Sequence, residues 1–342
     1  MANLKHGGLL PLPKDKRDFK FGAVFGLPAL TELPLEFSGT PPLQIKDQKN
    51  TDLCTAYGSA AVSEDQEGIL LSPEYIFAKT KELSGEYQSW GADLRTACKA
   101  LQKFGSLEQK DAPLTIADGR NNVANWENWP RELDTKALAH RKQSYFSVTG
   151  QYDMFDNIRA TLWAQREEKR SVFTGVLWRE GWLFAKDGVI PHLYSDNGFG
   201  HAFKIFGWKK ILTAYSRVDG GEQIFEPYLI AQLSNGTQYG DNGIFYFPRK
   251  VVNEEFTYGA FTFSDIDPEW IKQQQLTIMQ IILLKIQQWL ALLSQKSPEI
   301  APKPEVAILP LPMPEIAPQP ATAPETMQEM VKRVCKEENL TP

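Results

Sequence analysis

Attack on a carbonyl carbon needs a nucleophile, a base and a place for the charge that develops on oxygen, and few residues in this chain suit those roles. Of the three cysteines, Cys54, Cys98 and Cys335, only Cys54 stands where a helical pattern begins. There the positive end of the helix dipole favours thiolate over thiol, and thiolate is the attacking species. Cys98 falls beside Leu94 and Leu101 on an apolar helix face, which assigns it to the core. A thiolate nucleophile requires a base. Of the four histidines, His6 lies in an N-terminal arm, His140 in a basic polar stretch and His192 in a loop after Pro191. His201 instead opens an apolar strand, roughly 150 residues after Cys54, a separation at which a cysteine and its base come from different parts of a fold. The chemistry of such a pair is acyl transfer through a thioester. The wide cysteine spacing fits neither a zinc site nor a disulfide frame, so no metal and no cofactor are expected.

These side chains have to be carried by something, and the periodicities say what. Thr51 or Asp52 is a candidate cap for a helix that begins near Cys54 and runs toward Gly68. Ser72, Pro73 and Glu74 open a second helix through Tyr75 to Leu83. Leu94, Cys98, Leu101 and Gly105 recur at spacings of four, three and four in a third. A fourth runs from about Asp153 to Gln165 with Phe155, Ile158 and Leu162 on one face. The period then drops to two: Val172 to Trp178, Ala202 to Trp208, Tyr228 to Leu233, Gly243 to Phe247 and Ala260 to Phe263 read as strands. Helices first and strands later predict an α+β protein of two packed lobes, with the site in the cleft between them.

The strings around the pair carry a family resemblance. The run Asp47-Gln48-Lys49-Asn50-Thr51-Asp52-Leu53-Cys54-Thr55-Ala56-Tyr57 resembles the segment of papain-like cysteine peptidases in which a Gln precedes the catalytic Cys by six residues. The run Gly198-Phe199-Gly200-His201-Ala202-Phe203-Lys204-Ile205-Phe206-Gly207-Trp208 is similar to that family's His-Ala strand. The resemblance implies a helical lobe carrying Cys54 and an antiparallel, barrel-like lobe carrying His201. It further implies a Gln48 side-chain amide that, with the Cys54 backbone N–H, holds the oxyanion. Trp90-Gly91-Ala92-Asp93 resembles the groove-lining turn that pairs with extended substrate, giving Trp90, Gly91 and Gly200 as substrate-binding residues. The family's Asn that orients the histidine is displaced here. Gly240, Asn242 and Gly243 align, which sets Leu233 at the Asn position and Asn235 two residues on, with the same strand parity. A bulge would bring Asn235 to His201; otherwise the histidine lacks an orienter. Lys49, Asp52 and Leu53 stand where small residues are usual, with Leu53 expected to crowd the groove and Asp52 to oppose the thiolate.

The similarity spans roughly residues 10 to 265. It implies a thiol peptidase acting on peptide or protein substrates; a papain-fold binding module that does not cut, and a Cys-dependent acyl transferase, are the alternatives. No long inhibitory propeptide is expected ahead of Cys54. The organisation read from composition is an N-terminal arm over residues 1–45, a peptidase domain over 46–268, an amphipathic heptad helix over 269–296, a proline-rich linker over 297–324 and a tail over 325–342. The heptad residues Leu276, Met279, Leu283, Ile286, Leu290 and Leu293 suit a homo-oligomer or partner helix, and Lys285 with its neighbouring glutamines argues against membrane association. Thirty-seven basic against forty-two acidic side chains, without a long basic run, exclude nucleic acid as an expected partner. The absence of a signal-like N-terminus suits a cytoplasmic or virion-associated protein.

Overall fold

A computed structural model describes residues 8–12, 15, 18–192, 198–215, 223–265, 273 and 279–290. The chain divides into two units, Met1–Pro268 and Glu269–Pro342. In the second, residues 279–290 form a helix whose Met279, Leu283, Leu284 and Leu290 are exposed. The proline-rich linker and the tail expected from the sequence lie outside the described residues.

The first unit contains helices α1 (Phe21–Phe25), α2 (Cys54–Glu67), α3 (Pro73–Ser84), α4 (Leu94–Lys103), α5 (Arg120–Ala124), α6 (Glu132–Ala137), α7 (Met154–Ala164) and α8 (Arg249–Glu255). Its strands are β1 (Phe37–Ser38), β2 (Ser144–Ser147), β3 (Val172–Arg179), β4 (Gly198–Tyr215), β5 (Gln223–Gln232), β6 (Ile244–Pro248) and β7 (Ala260–Ser264). All pairings among them are antiparallel, in the order β2-β7-β3-β4-β5-β6, with β1 against β4. This is the predicted α+β architecture, helices first and sheet second.

Local chemistry explains most of the helix ends. The Ser72 hydroxyl accepts the Tyr75 N–H at 3.2 Å and Pro73 takes the first helical position of α3. Asp93 caps α4 through the Thr96 N–H, and Asp153 caps α7 through the Asp156 N–H. The start of α2 differs from expectation: Leu53 occupies the cap position with no side-chain bond to the helix. Asp52, a predicted cap, is drawn away by a stronger partner described below.

Helix α2 is buried from Cys54 through Asp65 because its small residues let the sheet come close. A Cβ on Gly58 would lie 2.9 Å from the Phe173 ring and 3.1 Å from the Phe203 backbone. One apolar core gathers α2, α3 and α4; a second fills the space under β3, β4, β5 and β6. Between them Lys204 of β4 donates to Asp65 of α2 at 2.5 Å, and Ser171 adds a hydroxyl to the same carboxylate. Both charges are withdrawn from water, and burial pushes the Asp65 carboxyl up to about 6. Such a pair contributes register more than net stability. It fixes which residue of β4 faces the start of α2. Among the described residues no helix is long and apolar enough to cross a membrane.

Candidate active site

Cys54, the first residue of α2, is fully buried, and His201 on β4 is 3% exposed. The backbones of Ala202, the residue after His201, and of Gly8 and Thr55 lie close enough to the Cys54 sulfur to favour its thiolate. The start of α2, with Cys54, therefore abuts the part of β4 that carries His201 and Ala202. The register of the sheet sets what surrounds the imidazole. Val176 of β3 lies opposite His201, and Trp178, two residues along, puts its ring edge-on 5.6 Å from it. Trp178 is buried and also packs on Trp182, Phe245 and Phe247. It walls the histidine from solvent, a role the sequence offered only through strand parity. The other histidines are elsewhere: His140 pairs with Glu67 at the opposite end of α2, and His192 sits beside Tyr228. Cys98 lies in the apolar core, where burial raises its thiol well above the usual range.

A bend after β5 sets where Asn235 lies. Strand β5 ends at Gln232, the chain bends at Ser234, and residues 234–236 pair instead with the loop before α2. The Gln48 N–H donates to the Ser234 carbonyl at 2.8 Å, the Gly236 N–H to that of Lys46 at 3.2 Å, and Asp47 and Asn235 form a bridge. Leu233, at the position usual for the orienter, turns into the core at 2% exposure. Burial lowers the pKa of the His201 imidazole, and the nearby Asn235 side chain offsets part of that fall. His201 Nε2 and Asn235 Oδ1 are both buried and neither makes a hydrogen bond. One is a donor and the other an acceptor, so each is the complement the other lacks.

Gln48 is 4% exposed and held on both sides of its amide. Nε2 donates to the Thr51 carbonyl at 2.8 Å, and Oε1 accepts the Ser234 hydroxyl at 2.5 Å. One amide N–H remains for another acceptor, and the Cys54 N–H, first in its helix, has no intrahelical one.

The groove wall corrects two expectations. Gly91, at φ +64°, sits beside the groove, but its N–H donates inward to Asp52 at 2.6 Å and its carbonyl accepts from Lys81. Its neighbour Ala92 is the residue whose backbone is turned outward to an extended chain. Trp90 is 43% exposed, with its ring 5.7 Å from the Arg120 guanidinium. The second correction concerns Asp52. Arg120 grips its carboxylate through Nε at 3.0 Å and Nη2 at 2.8 Å. The same guanidinium also donates to the carbonyls of Tyr87 and Ser89. Asp52 is thus a strut between the start of α2 and the wall at 87–91, and only a minor repulsion toward Cys54. Leu53 points into the core, and Lys49 lies on the surface, paired with Asp47. Arg120 carries no local signal in the sequence, since its partner Asp52 is far away in the chain, whereas Lys81 reaches the nearby Ser89 and Gly91.

Residues 8–10 lie along Ala92 and Gly200. The Ala92 N–H donates to the Gly8 carbonyl at 2.8 Å, the Leu10 N–H to the Ala92 carbonyl at 2.9 Å, and the Leu9 N–H to the Gly200 carbonyl at 3.3 Å. In this environment burial pushes the Cys54 thiol up to about 12 and the His201 imidazole down to about 4. Both are neutral at pH 7. Only thiolate is alkylated, so iodoacetamide modification of Cys54 in the native chain is expected to climb about tenfold per pH unit from 7 to 10. A thiol of ordinary pKa levels off near 9, and a plateau there, read by mass spectrometry of the Cys54 peptide, would contradict the burial.

No family model and no curated protein matches the sequence. Solved structures do match it. Xylellain, a cysteine protease from Xylella fastidiosa, superposes with a TM-score of 0.57 at 21% identity over 76% of this chain and 96% of its own. The digestive procathepsin L2 proteinase from the Tenebrio molitor larval midgut gives 0.56 at 18%, over 77% and 79%. Procathepsin B S9 from Trypanosoma congolense gives 0.52 at 18%, over 77% and 87%. The fold of this chain is the α+β fold of papain-like cysteine peptidases.

Proposed function

We propose that this papain-like fold carries a working thiol peptidase whose nucleophile is Cys54 and whose base is His201. The observation that carries the reading is their burial at one junction of α2 and β4, with the sulfur on the backbone of Ala202. A scaffold without catalysis has no need of either group there. In the reaction the Cys54 sulfur bonds to the substrate carbonyl carbon while its proton passes to the imidazole. The free N–H of Gln48 and the Cys54 backbone N–H donate to the oxyanion. The C–N bond breaks, His201 returns the proton to the leaving amine, and a thioester remains. Water, deprotonated by His201, adds to that thioester; the acid leaves and the thiol is restored. Asn235, Oδ1 toward Nε2, holds the ring in the tautomer that faces the sulfur.

Substrate enters as an extended strand along Ala92 and Gly200, in keeping with edge pairing. The non-cutting binding module rested on Leu233; an Asn235 beside His201 removes that reason. The helix around residues 279–290 serves association with a second copy or a partner helix. The test is an epoxide or fluoromethylketone probe. One-to-one labelling at Cys54, lost in His201→Ala, supports the enzyme; labelling no faster than at Cys98 overturns it. Incorporation of an added amine instead of hydrolysis would assign the acyl-enzyme to transfer.

A further inference from the structure

A cleft of about 470 Å³ opens between β5, α8 and the segment that ends at His192, within the size range of small-molecule sites. Its walls are anchored. The Ile190 N–H donates to the Tyr246 carbonyl of β6 at 3.0 Å, which lays this segment beside the sheet, and His192 Nε2 comes to 3.3 Å from the Tyr228 hydroxyl. On α8, Arg249 and Asn253 are spent on α7 and its cap. The guanidinium donates to Asp153 at 2.6 Å and to Asp156 at 2.9 Å, while the Asn253 amide donates to Asp153 and accepts the Phe155 N–H. Val251 and Val252 are buried on the inner face. The helix is thereby fixed, and three charges at the cleft are left over. Neither Lys250 nor Glu254 has an ion pair among the described residues, and they lie one turn apart on the same side of the helix. Glu226, from β5, has His192 Nε2 at 3.7 Å. Glu226 pairs with Ile211, ten residues along β4 from His201, so roughly 30 Å of strand separates the cleft from the candidate active site.

We infer that this cleft is a second binding site, which takes a short peptide with both ends free, its ammonium toward Glu226 and Glu254 and its carboxylate toward Lys250. Charge selects the ligand. Arg249 lies against two aspartates that cancel it, so an anion such as phosphate meets one lysine and two uncommitted carboxylates, which repel it. A simple amine suits the acids but is opposed by Lys250. A molecule that carries both charges complements all three side chains. The cleft is larger than a single amino acid fills, which favours a peptide of a few residues. Exposed ion pairs each contribute little, so the affinity is millimolar. A peptide with free ends is also what the proposed reaction releases, and only that link to product rests on the peptidase reading.

The experiment titrates trialanine against the full chain and reads binding by saturation-transfer NMR. Saturable millimolar binding is expected. Lys250→Ala and Glu226→Gln, both at exposed positions, should each weaken it about fivefold, the worth of one exposed ion pair. N-acetylated trialanine should lose its response to Glu226→Gln and keep that to Lys250→Ala, and trialanine amide should show the reverse. A merely structural role for either side chain would not produce that crossing. Binding unchanged by both substitutions, or blocked peptides that bind as well as trialanine, overturns the site. Alanine that binds as well as trialanine overturns the peptide as its ligand. Trialanine binding that is lost when Cys54 is alkylated belongs to the active-site groove and overturns the cleft too. A chain that binds trialanine through Lys250 and Glu226 but cuts no peptide keeps the cleft and removes the peptidase reading. One that cuts peptides and shows no such binding does the reverse.

Discussion

His201→Ala, measured on a peptide amide, is expected to lower kcat/KM by about a thousandfold, the middle of the range for losing a general acid–base group. The loss has two sources. Without the imidazole no group beside Cys54 takes its proton, and burial already holds that thiol far above its usual pKa. Nor does any group return a proton to the leaving amine, so an amide suffers more than an activated ester. The ester-to-amide ratio therefore separates lost acid catalysis from lost folding. Nε2 makes no hydrogen bond, so the substitution orphans little beyond Asn235, and the ring contacts with Trp178 and Phe203 are the packing at stake. Amide hydrolysis retained within tenfold of the parent would remove His201 from the mechanism. Asn235→Ala should do less, about ten- to a hundredfold. It also moves the imidazole pKa down, since the Asn235 contact raises it, and the acidic limb of the rate profile shifts to lower pH.

The second large effect is on stability. Arg120→Ala is expected to cost about 3–5 kcal/mol, the usual result of leaving a buried charge unpaired. Asp52 has no exposure, and Arg120 supplies two of the three donors to its carboxylate, the Gly91 N–H being the third. Truncation also takes a donor from each of the carbonyls of Tyr87 and Ser89, so the wall at 87–91 loses two of its anchors. Lys81, brought down to about 8 by burial and the neighbouring Arg120 charge, keeps its bonds to Ser89 and Gly91 and limits the collapse. Urea unfolding of Arg120→Ala measures the cost, and adding Asp52→Asn should recover part of it because a neutral amide is cheaper to bury. A loss below about 1 kcal/mol would mean that water reaches the carboxylate and that the strut is solvated.

Much of the fold was legible because it is local. The Ser72-Pro73-Glu74 start of α3, the Gly105 stop after α4 and the period-two runs of β3, β4 and β6 are set by residues within a few positions of one another. Short elements such as β2, Ser-Tyr-Phe-Ser, were not legible, since Ser144 is buried only because β7 pairs with it. At the site, Cys54 and His201 were legible by residue type and setting. Asn235 was legible only as a possibility, conditional on a bend that the sequence does not announce.

The sequence by itself determined the identities that matter: a sulfur at the start of a small-residue helix, an imidazole on an apolar strand, and glycines where backbones must touch. Only the tertiary structure decided that the Gly91 N–H turns to Asp52, that Asp52 braces the wall instead of capping α2, that residues 234–236 leave β5 for the loop before α2, and that Leu9 packs in the cluster of Cys54 and Ala202. The reason is physical. Periodicity and capping act over one or two turns of chain, whereas each of these four outcomes is settled by competition among partners tens of residues or more apart. Arg120 outbids a helix N-terminus for Asp52, the loop at 46–48 captures residues 234–236 from β5, and the arm takes a place that water or substrate would otherwise hold.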